Sequence, residues 1–317
     1  QLLPNIMVSH RADNEFPYLK ECHELPEKEE RNGILKNIGA MSMHKLATVI
    51  VNNTDSLLMS SFIGLTAVGI YSNYRMVIIN VQNIIVKLLS AFTGSVGNLS
   101  ASEEPAKVYR IYREMDFMFF VLNAYFAAGM FILINPFIAI FFGEQYCFST
   151  VTVALIITSF FITGLRRVNL IFREGMGLFW NDRYKAVAES IINLVVSLLL
   201  VKPFGIAGIV GGTIISTVTT CAWIEPYVLM KHGIKEDWQA RLRRYFAEYA
   251  QHCALTAALS AAGWYAASRF PIDHIGKFLA AGVLYTIVFA AVILLCYRKT
   301  EEYSSLKARC FALVRRK

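Results

Sequence analysis

Charged, amide and hydroxyl side chains recur at helical spacing inside long apolar runs of this sequence, and these are the residues that could do chemistry. Lys45, Thr48, Asn52 and Asp55 are three, four and three residues apart, which places them on one face of a helix. Asn73, Asn80, Asn83, Lys87, Ser90, Gly94 and Gly97 form a second stripe in the next run. Glu189 and Asn193 stand four apart in a later run, and Thr213 and Thr217 four apart in the one after it. Polar groups inside an apolar span are expensive and mark substrate or ion pathways. Two adjoining polar faces predict a water-filled cavity. In it Lys45, Lys87 and, at the outer mouth, Arg75 would present positive charge, while Asn52, Asn80 and Asn83 would offer hydrogen bonds. The asparagines serve equally well as hydrogen-bonding glue between helices. Lys45 lies near an end and can instead snorkel to the surface. Lys87 is too deep for that, and glue needs no charge.

No catalytic motif accompanies these stripes. GxxxxGK[ST], HExxH, GxSxG and a loop DxD pair are all absent from the sequence, so no catalytic residues are assigned and the chain is not read as an enzyme. The six cysteines are scattered, with no CxxC and no Cys/His cluster, so they read as single thiols and not as a metal site.

The elements that must position the stripes follow from composition. Of 317 residues, 56% are hydrophobic and only 17% charged, with a mean hydropathy of +0.46. Soluble domains carry about 25% charge, so an integral membrane protein is the leading class. The net charge of +8 would suggest nucleic acid in a soluble protein. In a membrane protein it reflects Lys and Arg held in cytoplasmic loops, and no nucleic acid is expected. A spanning helix needs about 20 apolar residues. Eight candidates occur, at about 37–63, 72–97, 117–142 (interrupted by Asn135-Pro136), 149–165, 186–201, 206–230, 246–268 and 275–297. The runs are continuous, without the alternation of barrel strands.

Of the 31 Lys and Arg, 25 fall in segments 1–36, 98–116, 166–185, 231–245 and 298–317, and four in the alternate connections. This alternation predicts a multi-pass protein of the cell membrane, with both termini of the chain cytoplasmic. Residues 1–36 read as a cytoplasmic linker, and no soluble insert is long enough to fold alone. Gly205, Gly208, Gly211 and Gly212 open the sixth run. They either let helix backbones approach closely or line a ligand path. The last two runs are either plain lipid-exposed helices or a groove wall for an isoprenoid tail.

The stretch VIVNNTDSLLMSSFIGLTAVGIYSNYRMV (49–77) resembles the first helix pair of the C-terminal lobe of polysaccharide-export flippases. GLFWNDRYKAVAESIINLVVSLLLVKPFGIAGIVGGTIIS (177–216) resembles a later pair of that lobe. This is the O-antigen and capsular repeat-unit transporter family of bacteria, within the superfamily that includes MATE exporters. The resemblance implies an all-α membrane fold of eight transmembrane helices. Residues 1–36 would be the inter-lobe linker and 37–230 a six-helix C-terminal lobe. Residues 231–317 would be an extra helix pair with a basic cytoplasmic tail. The opening residues lack Met, and the expectation is that a preceding N-terminal lobe is missing, through a fragment or a truncated gene. The implied function is translocation of undecaprenyl-diphosphate-linked oligosaccharide by alternating access, with the lipid-linked oligosaccharide, membrane lipids and the missing lobe as partners. Two rival readings stay open: a MATE-type small-molecule exporter, and a non-transporting scaffold of a polysaccharide assembly complex.

Depth along the spans groups Asp55, Asn193, Thr213 and Thr217 within roughly 6 Å of one another, with Glu189 one turn further in. Their oxygens suit a hard cation. Relatives in the superfamily bind Na⁺ with a similar set, which implies a Na⁺-coupling site here and no other cofactor. H⁺ coupling through a protonated carboxylate is the alternative. The plain reading is that Asp55 pairs locally and Glu189 faces the cytoplasmic interface.

Overall fold

A computed structural model describes residues 2–20 and 27–315. Among them there is no strand, and about nine-tenths of the chain is helical. The helices are α1 (Leu2–Glu15), α2 (Lys28–Phe62), α3 (Leu65–Ser102), α4 (Pro105–Phe141), α5 (Thr150–Leu165), α6 (Arg167–Gly175), α7 (Lys185–Ser216), α8 (Ala222–Val228), α9 (Trp238–Arg269), α10 (Ile275–Tyr297) and α11 (Glu301–Arg315). Segment 1–36, expected to be linker, contributes α1 and the first turns of α2, which begins nine residues before the expected span. Cys147, Cys221, Cys253 and Cys296 are free thiols, as the scatter implied. Cys22 and the side chain of Cys310 lie outside the described residues.

Among the described residues, five helical stretches are long and apolar enough to cross a membrane: Leu65–Ser102, Pro105–Phe141, Thr150–Gly175, Lys185–Ile234 and Ile275–Tyr297. The fourth is not one rod. At Gly205 the backbone takes φ 56° and ψ −131°, and the chain reverses into an antiparallel hairpin. A Cβ at Gly208 would lie 2.1 Å from the Leu200 carbonyl oxygen, and one at Gly212 would lie 2.2 Å from Ser197 Oγ. Only hydrogen fits there, so these glycines allow close packing. The expected spans at 186–201 and 206–230 are the two limbs of this hairpin. α2 and α9, of 35 and 32 residues, are long enough to cross but too polar to count among the five.

α4 lies at the centre, against α3 and α5 on one side and α9, α10 and α11 on the other. Its buried Phe119, Phe120, Ala124, Ala127 and Ile138 belong to one continuous core with Tyr74, Phe160 and Phe172. Proline at its first position suits a helix start. Contrary to expectation, Asn135-Pro136 does not interrupt it. Asn135 accepts from the Tyr74 hydroxyl at 2.6 Å and donates to the Phe148 carbonyl at 2.9 Å, tying the α4–α5 loop to α3.

The basic segments gather at one end of the helices. Lys36 stands 5.8 Å from the Trp180 ring, and His44 bonds Asp182 at 3.1 Å. Arg241 stacks 4.4 Å from Tyr109. Arg113 pairs with Glu248 at 2.9 Å and also with Glu302. At the opposite end Ile63 approaches Gly205, and Phe137 meets Phe278.

Candidate functional site

A cavity of about 440 Å³ opens between α2, α3, α5, α6 and the second limb of α7. α2 supplies Asp55, α3 supplies Arg75 and Gln82, α5 supplies Ser159 and Thr163, α6 supplies Arg167, and α7 supplies Thr213. Tyr71, Arg75, Ile78 and Gln82 recur at intervals of four, three and four, and Ser159, Thr163 and Arg167 at intervals of four. Each set is one helical face. Arg75 donates to Ser56 Oγ at 3.3 Å. Among the described residues neither Arg75 nor Arg167 forms an ion pair with a carboxylate. The cavity therefore carries two guanidinium charges against the single carboxylate of Asp55.

Arg167 was not a sequence-level candidate, because segment 166–185 counted as a basic loop. The signal was nonetheless present: the polar face of Ser159 and Thr163 continues through Arg167, past the end of the apolar run.

Asp55, Thr213 and Asn193 are directly joined. Thr213 Oγ1 donates to Asp55 Oδ2 at 3.3 Å and accepts from Asn193 Nδ2 at 3.0 Å. Asp55 Oδ1 and Asn193 Oδ1 are both buried without a hydrogen-bond partner, and Asn193 is wholly inaccessible. One helical turn away, Thr217 Oγ1 donates to Glu189 Oε1 at 3.3 Å. The five residues grouped by depth thus form two layers of one hydrogen-bonded region, held by the α7 hairpin.

The second layer leads into an ionic network. Arg166 donates to Glu189 at 3.3 Å and grips both oxygens of Glu225 at 3.0 and 2.7 Å. Lys185 Nζ donates to Glu225 at 2.6 Å and pairs with Asp182 at 3.2 Å. Asp182 also accepts from Arg173 at 2.6 Å. Glu225 is 1% exposed. Glu189 is half-buried and bonded to Arg166, so a cation at this layer would have to compete with that guanidinium. The wide π-helical turns Thr217–Cys221 and Leu229–Ile234 flank α8 and turn Glu225 into the network. Burial alone would raise the Asp182 carboxyl, but His44, Lys185 and Arg173 hold it well below the usual carboxylate range.

Of the first stripe Asp55 reaches the cavity, and the second stripe is not brought to it. Of the expected cavity residues with described side chains, Lys45, Arg75, Asn80, Asn83 and Lys87, only Arg75 lines it. Lys45, Asn80, Asn83 and Lys87 are exposed, and Asn80 donates to the Met76 carbonyl of its own helix at 2.9 Å. The side chain of Asn52 lies outside the described residues. The reason is rotational. Asn80 is two residues from Ile78, about 200° round the helix from the face that lines the cavity.

No protein-family profile matches this chain, and no curated protein or solved structure is detectably similar to it.

Proposed function

We propose that this chain is a transporter lobe with an extra helix pair, working in the cell membrane. It would translocate undecaprenyl-diphosphate-linked oligosaccharide as the polysaccharide-export flippases do. The observation that carries this reading is the cavity with Arg75 and Arg167, two cations that form no ion pair among the described residues and lie within membrane-length helical stretches. Charges in such a place are normally paired, and a doubly charged diphosphate supplies what they lack. Gln82, Ser159 and Thr163 add hydrogen-bonding groups for a polar headgroup. The same positive balance works against a cationic drug as cargo.

In this reading α2 and α9 also cross, giving eight spans with the basic end cytoplasmic. The exposed face of α2 and α3 mixes Lys45, Asn80, Asn83 and Lys87 with apolar Leu46, Val49, Ile84 and Leu88. It is where a first lobe would close the pathway and rock against this one. The buried unpartnered oxygens of Asp55 and Asn193, with Thr213 Oγ1 between them, are of the type a hard cation takes. They fit a coupling cation better than Glu189 and Thr217, whose layer Arg166 already fills.

The test is binding of undecaprenyl diphosphate and of undecaprenol to the purified chain by native mass spectrometry. The expected result is a preference for the diphosphate that Arg75→Gln and Arg167→Gln each reduce about tenfold, the value of one charged hydrogen bond. Equal binding of both lipids, or a preference indifferent to both substitutions, would reject the reading.

A further inference from the structure

Asp55 is the one carboxylate on a cavity that otherwise displays two guanidinium groups. It neutralises neither by contact, since Arg75 donates to Ser56 and Arg167 has no ion pair among the described residues. Its orientation is fixed instead by Thr213, which is itself held by Asn193. A carboxylate so held adds a negative field to the same volume in which the arginines would hold an anion.

Arg167 lies nearer the basic end than the other two charges, because it opens α6 beyond the end of α5 at Leu165. Arg75 bonds Ser56, the residue next to Asp55, so those two charges lie side by side. An anion entering from the basic end meets Arg167 first, and then Arg75 and Asp55 together.

We propose that Asp55 is the residue that sets how firmly this cavity holds a phosphate anion, opposing Arg75 and Arg167 within the same cavity. The inference rests on the anion-binding reading above. A pathway must bind its cargo well enough to admit it and weakly enough to release it. Two unopposed arginines in a low-dielectric cavity would retain a diphosphate. The carboxylate beside Arg75 weakens that hold, and any group that neutralises Asp55 strengthens it.

The experiment is equilibrium binding of inorganic pyrophosphate to the detergent-solubilised chain by calorimetry, at fixed pH and salt. Asp55→Asn should bind about tenfold more tightly than wild type, the scale of one charge acting across a partly screened cavity. Asp55→Glu, which keeps the charge, should stay nearer to wild type. Arg167→Gln should weaken binding. Should Asp55→Asn perturb folding, Asp55→Ser makes the same comparison. If Arg167→Gln weakens binding but neither neutral variant at Asp55 tightens it, Asp55 does not set the affinity and the anion reading survives. If wild type and Asp55→Asn both fail to bind, or Arg75→Gln and Arg167→Gln bind like wild type, both inferences fall.

Discussion

Two groups of buried or half-buried cations lie close together in this protein and are treated in opposite ways. Arg166, Arg173 and Lys185 each meet carboxylates at 2.6–2.7 Å, sharing Glu225 and Asp182. Arg75 and Arg167 line a cavity with no carboxylate in contact. Arg166 and Arg167 are neighbours in sequence, yet one belongs to each group. A paired charge in an apolar surrounding answers a structural need, because its desolvation is offset within the fold. An unpaired charge costs stability and persists where something outside the chain meets it. The contrast separates the part of the molecule that holds the hairpin together from the part that, in the proposed function, faces cargo.

The largest effect should come from breaking the paired group. Glu225→Gln keeps the shape of the side chain and removes the charge shared by Arg166 and Lys185. Loss of one partner of a buried ion pair costs about 3–5 kcal/mol, which should appear as a large drop in the unfolding midpoint of the purified protein. A midpoint within experimental error of wild type would show that the network is not structural.

Next in size is the hairpin on which both groups depend. Gly208→Ala places a methyl against the Leu200 carbonyl, and backbone cannot step aside as a flexible side chain can. Overpacking of this kind costs about 1–3 kcal/mol. Because Asn193 and Thr213 face each other across the same hairpin, pyrophosphate binding should change together with stability. Unaltered stability in Gly208→Ala would contradict the close approach.

The pH response sharpens the comparison further. The Asp182 carboxyl is depressed in the folded protein, so its stabilising contribution is complete above the unfolded carboxylate value of about 3.9. It is lost as pH falls through the lower folded value. The unfolding midpoint should therefore fall more steeply on acidification below about pH 4 in wild type than in Asp182→Asn. Parallel profiles would mean that Asp182 gains nothing from His44, Lys185 and Arg173.

The smallest stability change should follow removal of an unpaired charge. Arg167→Gln should leave the unfolding midpoint unchanged or slightly raised, because no ion pair is lost and a desolvated charge is relieved. A drop comparable to that of Glu225→Gln would erase the distinction between the two groups.

Much of the architecture was legible from the sequence because membrane burial imposes length and polarity on a helix. The runs at 72–97, 149–165 and 275–297 lie within helical stretches that meet both criteria, and the basic segments gather at one end as the alternation implied. Depth counting grouped Asp55, Asn193, Thr213 and Thr217, since rise per residue is fixed once the ends of a helix are known; the structure joins the first three and bonds Thr217 to Glu189 instead. Rotation was not legible. A polar stripe such as Asn80, Asn83 and Lys87 reports that one face differs from the other, but not which neighbour meets it. The structure turns Arg75 and Gln82 inward and the stripe outward. Pairing was likewise settled by tertiary structure. Nothing in the adjacent letters of Arg166 and Arg167 distinguishes them. Arg166 reaches Glu225, 59 residues away, only because Gly205 folds α7 back on itself and brings α8 beside the start of that helix. Composition and periodicity act along the chain, whereas the balance of a charge depends on what lies across from it, and only the packed fold supplies that.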